Sequence, residues 1–529
     1  MAIINQYDKR SGITYVYESH SYWDKEKKQV RANRRLIGRR DMETNEIKPT
    51  DGRGRRRKEN KEPGISSVKM SRRFYGATYL LDEIGTKLRI EDNLKSCFPS
   101  IYKQMLSLAY YMVLEENSSL YRFEKWGSIH RHPYGIDIAS QRVSDIFSAI
   151  TEDSKNRFHQ SFAKCHKEKE NWFYDTTSIS SYSDTLKQVR YGKNRDDDKL
   201  PQINLALVYG GNSQLPFYYK KLSGNISDVI TLNGLLADFT ALGFSNVKIV
   251  MDRGFYSEGN INALLKNHIK FLIAPKSSLS FVRKEFDKGY DEFTSFEYYN
   301  EQYELYSTTV MLDWQYNCER PYKKDTLTSS RRVYLHMYYN LDKATEDKKS
   351  FDRRLMEMRR ELLSGKRKQE HESAYQKYFI VKETPVRGIQ VTVNEEAVRK
   401  AKRYYGYFAL LSNEKMDSIS AIELYRNKDL VEKAFYNIKE RLNLRRTLVS
   451  SEQSLDGKLF VSYIGLIYLS YIKKHMQQSG LFEHYTMQSL LDTLDVIECF
   501  EYPGHSLRVG EITEKQKQIY IKLGIKPPV

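Results

Sequence analysis

Three short acidic stretches constrain this chain more than any bulk property. Phe173-Tyr174-Asp175-Thr176-Thr177-Ser178 and Ile249-Val250-Met251-Asp252-Arg253-Gly254-Phe255 each place one carboxylate near the end of an apolar, strand-like run. In the third stretch, Lys428, Glu432 and Lys439 follow Tyr425 at offsets of 3, 7 and 14. At about 100° per helical residue these offsets fall at roughly −60°, −20° and −40°, so the four side chains share one narrow helix face. Two strands feeding one site, with a helix packed over them, require an α/β domain.

The surrounding pattern agrees. Candidate strands are Asn171–Ile179, Gln202–Tyr209, Leu215–Lys221, Val247–Met251 and Phe271–Ala274, with helices near Asp228–Leu242 and Ser257–His268. Three strands, then helix, strand, helix, strand, describe an RNase H-like domain. Asp252 and Glu432 are 180 residues apart, too far for one strand-to-helix step. An inserted, mainly β subdomain over 276–403 accounts for the excess, with long strands near Tyr298–Trp314 and Arg331–Tyr339. The fold resumes at Tyr404–Leu411, and Ser418 is expected to cap the helix carrying Tyr425 to Lys439. Residues 74–169 read as helical, and 13–40 as short strands.

At 529 residues several domains are expected. The net charge of +18 favours a polyanionic partner, and nucleic acid is the commonest. Mean hydropathy of −0.66 argues against a membrane protein. The run Leu459 to Ile472 is too short for a bilayer span and reads as a buried core helix. Met1 to Arg10 lacks the apolar stretch of a signal peptide. Cys97, Cys165, Cys318 and Cys499 are scattered, which fits a reducing cytoplasm, and His130 and His132 lack further partners at metal-ligand spacing.

Two Asp at strand ends and one Glu on a helix suit two-metal phosphodiester chemistry. Two Mg²⁺ ions roughly 3.5–4 Å apart serve the attacking and leaving oxygens. Mg²⁺ prefers carboxylate oxygen, and Mn²⁺ can substitute. Asp175, on the central first strand, is the bridging candidate, with Asp252 beside it and Glu432 arriving from the helix. Taken singly each acid has a plainer reading: Asp175 as a turn residue or helix cap, Glu432 as a surface partner of Lys428 or Lys439. Asp196-Asp197-Asp198 reads as a solvated loop, because no apolar strand leads into it.

Together these motifs resemble the bacterial insertion-sequence transposases of the DDE superfamily, in the group marked by a Y-(2)-R-(3)-E-(6)-K signature. Asp175 in YDTTS and Asp252 in MDRGF match the two Asp. Tyr425, Lys428, Glu432 and Lys439 match the signature at full spacing, with Lys428 where the pattern has Arg. Lysine keeps the charge but loses bidentate phosphate binding. The resemblance covers roughly 172–472. It implies catalytic and metal roles for Asp175, Asp252 and Glu432, and phosphate contacts from Tyr425, Lys428 and Lys439. It also implies double-stranded DNA as partner, both at terminal inverted repeats and in the target, a homodimer in the synaptic complex, and a bacterial cytoplasmic, nucleoid-associated setting. Alternatives are an RNase H-like nuclease that cuts without joining, and a domesticated non-catalytic DNA-binding protein.

The expected organisation is a β-rich region and basic linker (1–64), a helical DNA-end-binding region (65–169), the first catalytic part (170–275) and the β-rich insertion (276–403). The second catalytic part (404–475) and a C-terminal helical region (476–529) follow. Arg55, Arg56 and Arg57 are candidate phosphate contacts within a mobile linker. Trp314 in the insertion is either a base-stacking residue, by resemblance, or a core Trp of the β subdomain.

Overall fold

The computed structural model describes residues 2–529 except 26, 50–69, 117–118, 167–170, 184, 197, 245–246, 291, 321–324, 385–387, 450 and 503. Two compact units emerge, Met1–Met70 with Tyr502–Gly504, and Ser71–Glu501 with His505–Val529.

In the first unit, β1 (Ala2–Asp8), β2 (Ile13–Asp24), β3 (Gln29–Arg40) and β4 (Ile47–Pro49) form an antiparallel sheet in chain order. Gly12 takes φ +68° between β1 and β2, a backbone conformation open to glycine at no steric cost. The candidate phosphate contacts Arg55, Arg56 and Arg57 lie outside the described residues.

The second unit opens with β5 (Ser71–Phe74) and the helices α1 (Gly76–Lys87), α2 (Ile90–Cys97), α3 (Tyr102–Leu114), α4 (Phe123–Ile129), α5 (Ser140–Ser148) and α6 (Glu152–Cys165). α3 is buried from Met105 to Leu114, and α6 is capped by the Thr151 side chain, which accepts from Ser154 N–H. His130 and His132 are structural here: His130 meets Asp495 at 2.9 Å, and His132 meets Ser107 at 2.9 Å.

Next come β6 (Asn171–Ser181), β7 (Gln202–Gly210), β8 (Pro216–Ser223), α7 (Asp228–Leu242), β9 (Lys248–Met251), α8 (Glu258–Lys266), β10 (Lys270–Ile273) and α9 (Ser280–Lys288). Gly243, at φ +71°, ends α7, and the Ser257 hydroxyl caps α8 by accepting from Asn260 N–H. The chain continues through β11 (Tyr299–Asn300), β12 (Leu305–Arg320), β13 (Asp325–Tyr339), α10 (Leu341–Leu363), α11 (Glu372–Tyr378), β14 (Phe379–Thr384), β15 (Gly388–Val393), α12 (Glu395–Lys402) and β16 (Tyr407–Ser412).

One large mixed sheet runs in the order β8-β7-β6-β9-β10-β16-β13-β12-β11. β6 is antiparallel to β7 and parallel to β9, which is parallel to β10. The long hairpin β12–β13 therefore joins the same sheet through β16. The remainder of 276–403 contributes α10, α11 and the β14–β15 hairpin, with a small core of its own around Met358, Leu362, Tyr375 and Phe379.

The last elements are α13 (Ser418–Arg426), α14 (Asp429–Tyr436), β17 (Arg446–Thr447), α15 (Glu452–Gln478), α16 (Met487–Asp495), β18 (Glu498–Glu501), β19 (Arg508–Val509) and α17 (Glu514–Lys522). α15 is long and apolar enough to cross a membrane, yet 89% of its apolar window is buried inside the fold. It packs against α3, α5 and β8, and the Tyr463 hydroxyl donates to the Pro216 carbonyl. A Cβ on Gly457 would fall 2.4 Å from the Phe147 backbone, so glycine is what lets α5 approach α15.

Candidate active site

The floor of the site is set by strand register. β6 and β9 pair from Asn171↔Lys248 to Tyr174↔Met251, so Asp175 and Asp252 are the next residues along on adjacent parallel strands. Neighbouring strands lie about 4.8 Å apart, and residues level with each other point to the same face. β9 stops at Met251, while β17 covers β6 only at Ser180 and Ser181. On the β9 side, the β6 edge from Asp175 to Ile179 therefore has no strand beside it among the described residues, and α14 packs against β6. Asp175 sits in the middle of an eleven-residue strand; the expected strand end belongs to its partner β9.

The helical stretch is not one regular helix. α13 ends at Arg426, and Lys428 N–H to Tyr425 carbonyl and Val431 N–H to Lys428 carbonyl are tight three-residue steps. α14 then gives way to a π-helical turn over Asn437–Arg441, with Leu442 N–H bonded to the Asn437 carbonyl. The cap of α13 is Asp417, whose side chain accepts from Ser420 N–H, rather than Ser418. A carboxylate one residue earlier is the better cap acceptor, which pattern alone did not separate.

The irregularity decides which of the four signature residues converge. The Tyr425 hydroxyl donates to Asp252 Oδ1 at 2.8 Å. Lys428 Nζ stands 2.9 Å from Glu432 Oε1 and 3.7 Å from Asp252 Oδ2. Lys439 does not join them: its buried ammonium pairs with Asp196 Oδ2 at 2.6 Å. The extra residue in the π turn breaks the 100° count that placed Lys439 beside Glu432. Arg426 lies elsewhere, stacked over Tyr303.

Electrostatics follow the geometry. Asp175 is 2% exposed, and burial raises its pKa, against the Arg195 guanidinium and the Thr176 N–H. Burial also works on Asp252, but Lys428, the Arg253 N–H and the Tyr425 hydroxyl together hold its pKa below the usual value. Lys428 loses some solvation, and Glu432, Asp252 and Asp175 more than compensate, so its pKa is raised. Burial and the neighbouring Asp252 raise the Tyr425 phenol.

Sequence reasoning passed over two residues beside Asp175, Arg195 and Asp228. Arg195 Nη1 reaches Asp175 Oδ1 at 3.4 Å, while Nη2 meets Thr176 Oγ1 at 2.9 Å and Asp228 Oδ2 at 3.0 Å. Asp228 opens α7 and accepts from the Thr176 hydroxyl at 2.5 Å. A Cβ on Gly254 would lie 3.1 Å from Asp228 Oδ2, so the MDRGF turn packs tightly against that acid. The acidic loop is thus more than solvated: Arg195 binds Asp175, Asp196 pairs with Lys439, and Asp198 pairs with Arg446 at 2.9 Å. The available signal was alternation of charge, Arg before Asp in a loop following the first strand.

Trp314 lies on β12, half-buried. Its indole N–H donates to Asn262 Oδ1 at 2.8 Å, and Phe281 meets its ring edge-on. Among the described residues, no group of three or more acid, His or Cys side chains stands close enough to hold a metal ion. The donor chemistry nonetheless suits a hard cation: Asp252 and Glu432 share one positive charge, the Lys428 ammonium, and Asp175 also feels it.

A mixed α/β protein with two acids level on adjacent parallel strands and a third on a helix is the class these observations define. Residues 166–466 match the transposase DDE domain family, and the chain belongs to that family. Among solved structures, the piggyBac transposase synaptic complex with hairpin DNA is similar at 11% identity. The TM-score is 0.33, over 79% of this chain and 69% of that one. No curated protein matches.

Proposed function

We propose that this transposase cuts DNA at the terminal inverted repeats of its own mobile element and joins the freed 3′ ends to target DNA. The observation that carries the reading is that Tyr425 and Lys428 both meet Asp252, level with Asp175, while Lys428 also pairs with Glu432. The run of three antiparallel strands, helix, strand, helix, strand supports an RNase H-like catalytic core.

Asp175, Asp252 and Glu432 are the residues that would hold two Mg²⁺, with Mn²⁺ able to substitute. When bound, the metal supplies positive charge against the attacking and leaving oxygens of the scissile phosphate. The chain's own groups do the positioning. Arg195 locks Asp175 to Thr176 and Asp228, the Tyr425 hydroxyl orients Asp252, and Lys428 neutralises the cluster beside a phosphate. Lys439, held by Asp196, braces the acidic loop in this state. Trp314, anchored on Asn262, supports packing of β12 on α8.

The net charge of +18 suits double-stranded DNA as partner, with the N-terminal sheet, the basic run Arg55–Arg57 and the helices of 71–165 available for end recognition. Two ends must be brought together, so a homodimer acts in the synapse, on the bacterial nucleoid.

The test is incubation with Mg²⁺, a duplex carrying the DNA that borders the coding frame, and a supercoiled target plasmid. End cleavage with joined products supports transposition. Nicks without joining would indicate a nuclease, and binding without nicks a retired DNA-binding protein.

A further inference from the structure

A cavity of about 630 Å³ lies one helical turn beyond Glu432, between the end of α14, its π turn, the end of α15 and residues 482–487. Lys433, Lys473 and Arg441 bring three cations to its wall against one acid, Glu483. Tyr436 and Phe482 line it too, 64% and 43% exposed, so each offers a ring face to solvent.

The cations are incompletely answered by protein groups. Lys473 is half-buried beside Lys433 and has no ion pair among the described residues; burial, then Lys433, push its pKa down to about 8. Lys433 pairs with Asp429 on its own helix. Arg441 is buried, with Nη1 near Glu116 and Nη2 on Gln488, yet its Nε has no hydrogen-bond partner. One unpaired ammonium, Lys473, with a second lysine and two exposed ring faces beside it, matches the chemistry of a nucleotide: a phosphodiester for the lysines and a base for the rings.

We propose that this cavity binds an unpaired stretch of DNA strand, stacking a base on Tyr436 and Phe482 and holding its phosphate with Lys433 and Lys473. The inference rests on the transposase reading and adds a second strand contact to it. A cavity of this size admits one base but not the width of a duplex, so the ligand is single-stranded. Tyr436 follows Glu432 by four residues, so the two side chains neighbour each other on α14, and a strand leaving the acids reaches the cavity within one turn, about 5.4 Å.

The test uses the full chain and two fluorescein-labelled probes of one mixed sequence, a 20-nucleotide single strand and its blunt duplex, read by anisotropy against salt. Both rings are exposed, so Tyr436→Ala and Phe482→Ala leave the core intact. Each should weaken single-strand binding by about tenfold while duplex affinity changes less than about twofold. Lys473→Gln should lower the slope of log affinity against log salt by about 0.7 on the single strand, the loss of one phosphate contact. Unchanged single-strand affinity in both aromatic variants, with wild-type duplex binding intact, overturns the cavity assignment and leaves the transposase reading standing. A wild-type chain that binds neither probe overturns both.

Discussion

Lys428 Nζ stands 2.9 Å from Glu432 Oε1, inside the group of acids that the metal ions of a nuclease site would need. One side chain thus supplies, from within the fold, the positive charge the cluster requires before any ion binds. Replacing Lys428 with Met should tighten Mg²⁺ binding by about tenfold, about 1.4 kcal/mol, because the competing charge is gone. Thermal shift across a Mg²⁺ titration, without DNA, reads this directly. Weaker binding in the variant would mean the ammonium assists the ion.

Burial costs the Asp175 carboxylate solvation. It is buried at the end of the β6–β9 pairing, and its charged form is disfavoured by lost solvation despite Arg195. Asp175→Asn should therefore raise the melting temperature of the metal-free protein while removing cleavage. Unfolding measured in chelator checks it; a large loss of stability would show that Arg195 already compensates the charge fully.

Lys439, buried, and Asp196, at the surface, form a part-buried pair across 243 residues of chain. Breaking either partner should cost about 2 kcal/mol, and the double variant Lys439→Met/Asp196→Asn clearly less than the sum. Denaturant unfolding of the four proteins completes the cycle. Additive losses would assign Lys439 to something other than that loop.

The contrast with Lys439 shows where sequence stopped being informative. The strand that carries Asp175 and the apolar run that ends just before Asp252 were legible from their residue pattern. The boundaries of β6 to β10 and of α7 emerged within about two residues of expectation, whereas β12 begins seven residues later and β13 six residues earlier than the pattern suggested. Lys439 was misdirected by a π turn, which has no periodic signature. Arg195 and Asp228 reach the site through loop and helix-start geometry, and the β12–β13 hairpin joins the main sheet through long-range pairing with β16. Those contacts depend on tertiary register, not on local pattern.

Asp82 offers a pH test distant from the chemistry. Burial pushes its carboxyl up to about 7, against a hydrogen bond from the Tyr110 hydroxyl. The unfolded chain releases that proton near pH 4, about. Stability should therefore fall as pH rises from about 4 to about 7, by of order 1 kcal/mol per unit, and level off above. Asp82→Asn should flatten that stretch of the profile. An unchanged slope would place the pH dependence on other groups.

The central claim is that Asp175, Asp252 and Glu432 are one catalytic set. Strand nicking of an end-bearing duplex in Mg²⁺, with gel shift on the same preparations, tests it most directly. Asp175→Asn, Asp252→Asn and Glu432→Gln should each lose nicking by about 10³-fold or more while still shifting the duplex. Wild-type nicking by any one of the three would contradict the account.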